Sequence, residues 1–169
     1  MGYDVTTEDA ELTEVFLSSR FSVFSVYSVV KGVLVMATYG LIEYSDASPE
    51  VRAVYDDIMA TRKTDWINNF WKALAHDPAL LKRTWQDIKQ IMAPGALDPL
   101  VKEMIYVAVS VTNGCPYCIA AHTASARNKG MTPEMFHELM SVAGMANESN
   151  RLANGYQIEV DEQFKPPLG

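Results

Sequence analysis

From position 49 onward the apolar residues recur every three or four positions, the spacing that gathers them on one face of a helix rather than alternating them across a strand. Val51, Val54, Tyr55, Ile58 and Met59 form the first such set, behind Asp46 or Ser48 as a cap and Pro49-Glu50 as a first turn. A second helix is predicted over Asn68 to Ala75, ending where Asp77-Pro78 pushes the chain out of the helical region. A third starts at that proline, carries Leu80, Leu81, Trp85, Ile88 and Ile91 on one side, and stops at Ala93-Pro94-Gly95. Asp98 caps a fourth that Pro99 opens, running through Leu100, Met104, Ile105, Ala108 and Val111 to Asn113-Gly114. The fifth runs from Pro116 to Asn128 and stops at Lys129-Gly130. Thr132-Pro133-Glu134 begins a sixth with Phe136, Leu139, Met140 and Ala143, and a last helical stretch covers Glu148 to Gly155. The pattern predicts an all-α, single-domain helical bundle of about six to eight helices.

Two segments lie outside that pattern. Phe21 to Ile42 is strongly apolar with Lys31 as its one charge, and nearly qualifies as a membrane span. Lys31 in its middle and the serines at 22, 25 and 28 argue against that, and favour a packing arm or a subunit contact. The tail from Gln163, with Pro166-Pro167, reads as a loose end. The organisation expected is an N-terminal extension over 1–43, a helical domain over 44–155 and a C-terminal tail over 156–169.

Composition narrows the function classes. A chain of 169 residues, 49% of them apolar, can bury a substantial core. Fourteen Lys and Arg against 21 Asp and Glu give a net charge of −7, which argues against nucleic acid and anionic membranes as partners. The polar, acidic first fourteen residues have the wrong charge for the leading segment of a signal peptide, so a cytoplasmic location is expected. The helices together with the 21–42 segment leave more apolar surface than one subunit hides, which predicts a homo-oligomer. The nine methionines and Trp66, Trp71 and Trp85 are expected in the core or at a subunit contact, and His76 and His137 as capping or surface residues.

The two cysteines, Cys115 and Cys118, close almost no loop, so a bridge between them adds little to stability and points to chemistry. With Cys115 as the cap of the fifth helix, Cys118 lies about 60° and His122 about 20° from it around the axis, all on one face. Tyr117 points nearly the other way. Cys118 sits in the first turn, where free amides and the helix dipole favour a thiolate, and His122 one turn on can take its proton. Glu103 stands in an apolar helix, so its carboxylate is expected to be partly buried, with its pKa drawn upward toward the range useful for proton transfer. The Asn113-Gly114 turn makes a Glu103 contact with His122 or the cysteines possible. The same residues could instead ligate zinc, with Cys115, Cys118 and His122 as ligands and Glu103 as a fourth group.

Glu103, Cys115-Pro116-Tyr117-Cys118 and His122 at these spacings, with Phe70 to Pro78 upstream, resemble the alkylhydroperoxidase D-like, peroxidase-related branch of the carboxymuconolactone decarboxylase superfamily. The resemblance covers roughly residues 44 to 155. It implies an all-helical homo-oligomer (dimer, trimer or hexamer) that reduces a small hydroperoxide with thiols, without metal or organic cofactor. An external dithiol, such as a thioredoxin- or lipoyl-type donor, would supply the electrons. It implies further that Cys118 attacks peroxide, Cys115 resolves, and Glu103 and His122 relay protons. Tyr117 departs from the best-studied type of site, which has a second histidine between the cysteines. The alternative within the superfamily is a lactone decarboxylase, and outside it a non-catalytic redox-responsive module.

Overall fold

The computed structural model describes residues 38–166, and by its internal contacts the chain divides into one unit ending at Leu81 and another beginning at Lys82. Among the described residues there are six α-helices and two short 3-10 turns, and no strand. The helices are α1 (Pro49–Arg62), α2 (Asn69–Leu74), α3 (Pro78–Ile91), α4 (Pro99–Thr112), α5 (Pro116–Asn128) and α6 (Pro133–Gly155). None is long and apolar enough to cross a membrane. The apolar stretch expected from Phe21 lies, up to residue 37, outside the described residues.

In the first unit, α1 begins as its sequence demands. The Ser48 hydroxyl accepts from Val51 N at 3.3 Å, which satisfies an amide that the helix itself cannot pair, and Pro49 follows at a position where a missing N–H costs nothing. Val51, Val54, Tyr55 and Ile58 are all buried, at the three- and four-residue spacing that lines one face of the helix. The segment before α1 is tied down by polar contacts. The Tyr55 hydroxyl donates to Ile42 O at 3.0 Å, Arg52 donates to the carbonyls of Tyr44 and Ser45, and Lys72 of α2 pairs with Glu43 at 2.6 Å. Asn68 caps α2, and Asp77 caps α3 by accepting from Leu80 N at 3.0 Å.

In the second unit, α4 packs against both α5 and α6. Two glycines make those reversals. Gly114 at φ +66° lets Cys115 N donate back to Ser110 O at 3.0 Å, turning α5 against α4. Gly130 at φ +99° does the same after α5, with Met131 N donating to Ala126 O. Lys102 caps the end of α3 from α4, its ammonium donating to Ile91 O and Ala93 O at 2.7 and 2.5 Å. Asn147 of α6 bridges to Thr112 Oγ1 at 2.9 Å and so fastens α6 to the end of α4.

One expectation changes, and another divides. The sixth helix and the separate stretch over Glu148 to Gly155 are one continuous helix, α6. Gly144 is the only interior glycine before its end, no proline interrupts it, and a single glycine costs only about 1 kcal/mol against alanine. The tryptophans also divide: Trp71 and Trp85 are 1% and 3% exposed, whereas Trp66, in the α1–α2 connection, is 62% exposed.

Ile58 is 1% exposed in the middle of the α1 face. Ile58→Ala should lower stability by about 2–5 kcal/mol and Ile58→Val by about 0.5–1.5 kcal/mol in urea unfolding. Equal, negligible effects would show that this face is not packed.

Candidate active site

The residues with chemistry lie on α4 and α5 of the second unit. Helix α4 reverses what its apolar composition suggests: Val101, Ile105 and Val109 are 41%, 49% and 51% exposed, while Glu103, Val107 and Ser110 are buried. A carboxylate on the buried face loses hydration and must find donors. Glu103 finds three of them on α5 and just past its end. His122 Nδ1 lies 2.7 Å from Oε2, the Ser125 hydroxyl donates to Oε1 at 2.7 Å, and the Lys129 ammonium donates to Oε1 at 2.9 Å. Lys129 also donates to Ser125 Oγ at 2.8 Å, which fixes the direction of that hydroxyl.

The expected upward shift of Glu103 does not occur. Burial pushes its carboxyl up, but the hydrogen bonds from His122, Ser125 and Lys129, with the charge of Lys129, outweigh burial and hold it at about 2. Glu103 is therefore an anion at neutral pH. An ionised carboxylate only accepts, so the proton in the His122 contact sits on Nδ1 and Nε2 is left as the ring's free position. Tyr106, one turn after Glu103, stacks on the imidazole with ring centroids 3.7 Å apart and planes inclined by 16°, which holds the ring in its plane. Of the two contacts anticipated for Glu103, the one with His122 is formed.

Cys115 caps α5, as its position before Pro116 suggests, and is joined to Cys118 by a disulfide with Cα atoms 5.4 Å apart. The structure is thus of the oxidised pair. The Cys118 amide donates to Cys115 Sγ at 3.3 Å, so in this state the first-turn amide serves the sulfur of Cys115 rather than that of Cys118. His122 is one turn beyond Cys118 on the same helix, and Tyr117 is exposed as its opposite direction on the wheel requires. Among the described residues no group of three His, Cys, Asp or Glu side chains is placed to hold a metal, and the disulfide engages both sulfurs of the zinc alternative. His76 and His137 are exposed, each in an edge contact with an aromatic ring.

Ser125, Lys129 and Tyr106 were not singled out in the sequence. The signal was there: the wheel that aligns Cys115 with His122 carries on to Ser125 and Lys129, three and seven residues further, and places Tyr106 one turn from Glu103.

The carboxymuconolactone decarboxylase family model matches residues 78–158, a span that holds the whole cluster. An uncharacterised protein of Cupriavidus necator is 33% identical over 85 residues, covering 50% of this chain and 74% of that protein. Another from the cox locus of Paracoccus denitrificans is 44% identical over 55 residues, 32% of this chain, and the chain spans half the length of that relative. Among solved structures, that of the alkylhydroperoxidase AhpD core from Rhodospirillum rubrum is 56% identical, covers 69% of this chain and 86% of that one, and superposes with a TM-score of 0.67.

Glu103 titrates at about 2 in the folded chain against an ordinary 4.5, so it binds a proton more readily when unfolded. The stability it lends, up to roughly 3 kcal/mol, is complete above 4.5 and is lost as pH falls toward 2. Urea midpoints measured across that window should fall steeply for the native chain and less steeply for Glu103→Gln, which should already be weaker at neutral pH. Parallel curves would mean that Glu103 is not held as an anion.

Proposed function

The chain belongs to the alkylhydroperoxidase D-like carboxymuconolactone decarboxylase superfamily, and within it we propose that it is a thiol-dependent reductase of small hydroperoxides. Membership alone supports peroxidase-related or decarboxylase-like chemistry. The observation that carries the finer reading is the Cys115–Cys118 disulfide at the start of α5, one turn from a histidine whose Nδ1 is anchored on a buried carboxylate. Lactone decarboxylation by proton transfer has no use for a thiol pair that closes on itself.

The cycle starts with the reduced pair. His122 Nε2 takes the proton of the Cys118 thiol, and the amides of the first turn of α5 stabilise the thiolate once the disulfide is open. The thiolate attacks the terminal peroxide oxygen, the O–O bond breaks, and the alkoxide leaves with the proton held by His122. Cys118 is now a sulfenic acid and the product an alcohol, or water from hydrogen peroxide. The Cys115 thiol displaces water from that sulfenic acid and forms the disulfide. An external dithiol of thioredoxin or lipoyl type reduces it by exchange and returns both thiols. Glu103 keeps its charge throughout and acts by orienting the imidazole. No metal or organic cofactor enters any step.

The order of attack gives the sharpest test. Purified protein should consume an organic hydroperoxide when a dithiol is present, Cys118→Ser should lose that turnover, and Cys115→Ser should trap a dimedone-reactive sulfenic acid at position 118. Trapping at 115 in Cys118→Ser instead would exchange the two roles, as the Cys118 amide bond to Cys115 Sγ would then rationalise. Hydroperoxide turnover that survives alkylation of both thiols would end the reading, and lactone decarboxylation that survives it would favour the decarboxylase.

The uncovered row Val101, Ile105 and Val109 on α4 supports self-association of the chain, since it is a contiguous apolar stripe at i, i+4 and i+8. Light scattering should give a mass that is a multiple of the monomer's. A monomer at all concentrations tested would remove the homo-oligomer from the account.

A further inference from the structure

His122 can take a proton from a thiol only if its own Nε2 is empty at neutral pH, and its position works against that. In general an anion beside an imidazole favours the charged ring, and here the buried Glu103 carboxylate lies 2.7 Å from Nδ1. A site built from Glu103 and His122 alone would therefore tend to rest as a closed ion pair with no base left over. Lys129 changes the balance. Its ammonium sits 2.9 Å from the other carboxylate oxygen and is braced through Ser125, which it meets at 2.8 Å and which itself donates to Glu103 at 2.7 Å.

We propose that Lys129, braced by Ser125, is the positioning residue that supplies the counter-charge of buried Glu103, so that His122 is held through Nδ1–H yet stays neutral and free to act as a base at Nε2. The role rests on the thiol-reductase reading, but the charge arrangement does not. The groups facing the pair are few. From α4 come Glu103 itself and Tyr106, which stacks on the ring; from α5 and its end come Ser125, Lys129 and, one turn back, Cys118. Helix α6, which packs on α4, contributes no recorded hydrogen bond or ion pair to either Glu103 or His122 among the described residues. Arrangement along α5 fits the division of labour: His122, Ser125 and Lys129 follow at three and four residues, so one face delivers base, brace and cation to a single carboxylate.

The test is a titration of the His122 ring by NMR in the 15N-labelled full chain, in the disulfide state shown here, with the signal assigned by its loss in His122→Gln. In Lys129→Met the ring should stay protonated to a pH higher by about one unit than in the native chain, a tenfold change in proton concentration. Lys129→Arg, which keeps the charge, should restore the native midpoint. The acid limb of hydroperoxide turnover should move with the ring in each variant. An unmoved His122 midpoint in Lys129→Met overturns the proposal, as does a shift that Lys129→Arg fails to reverse, because a packing role would not depend on charge. Should Lys129→Met not fold, Ser125→Ala decides: it should raise the midpoint in the same direction by a smaller amount, and no change overturns the proposal. Since the titration uses no peroxide, an inactive native enzyme with a Lys129-dependent midpoint would count against the reductase alone.

Discussion

Burying Glu103 on the inner face of α4 obliges the neighbouring helix to answer with donors, and most of the site's geometry follows from that obligation. The carboxylate has two oxygens, and α5 with the residue just past its end fills them, His122 on one and Ser125 and Lys129 on the other. Removing the donors would leave an ionised group without water, a penalty larger than most single substitutions impose. The same bonds that stabilise the fold therefore set the histidine's tautomer, and they leave its outer nitrogen directed away from the carboxylate.

The backbone makes this meeting possible through two left-handed glycines. Gly114 returns the chain so that α5 lies along α4 with Cys115 at its cap, and Gly130 ends α5 just after Lys129. A side chain at either glycine would strain the turn. The cysteine pair thus opens the helix whose later turns carry the base and the cation, so thiol chemistry and proton handling share one short rigid element. An uncharged carboxyl at 103 would not serve in this arrangement: it could donate to Nδ1 and leave the proton on Nε2, where it would block the thiol.

Much of this was legible in the sequence because the relevant signals are local. Proline after a capping residue marks the starts of α1, α4, α5 and α6, and Cys115, Cys118 and His122 align by helical arithmetic alone. The burial of Glu103 and its contact with His122 followed from one apolar helix and one turn. Its protonation did not, because burial and hydrogen bonding act in opposite directions, and the winning donors, Ser125 and Lys129, look like ordinary residues at a helix end. The exposed apolar row of α4 was equally hidden, since periodicity does not say which of two faces a carboxylate will claim. Nor does composition reveal that α6 runs unbroken through Gly144.

In the proposed cycle the two sulfurs exchange electrons with a peroxide. It is tested most directly by counting thiols in the reduced protein before and after a single equivalent of an organic hydroperoxide, with the products located by mass spectrometry. Both thiols should disappear for each peroxide consumed, with Cys115 and Cys118 found joined. Two thiols still free while the peroxide persists would contradict it.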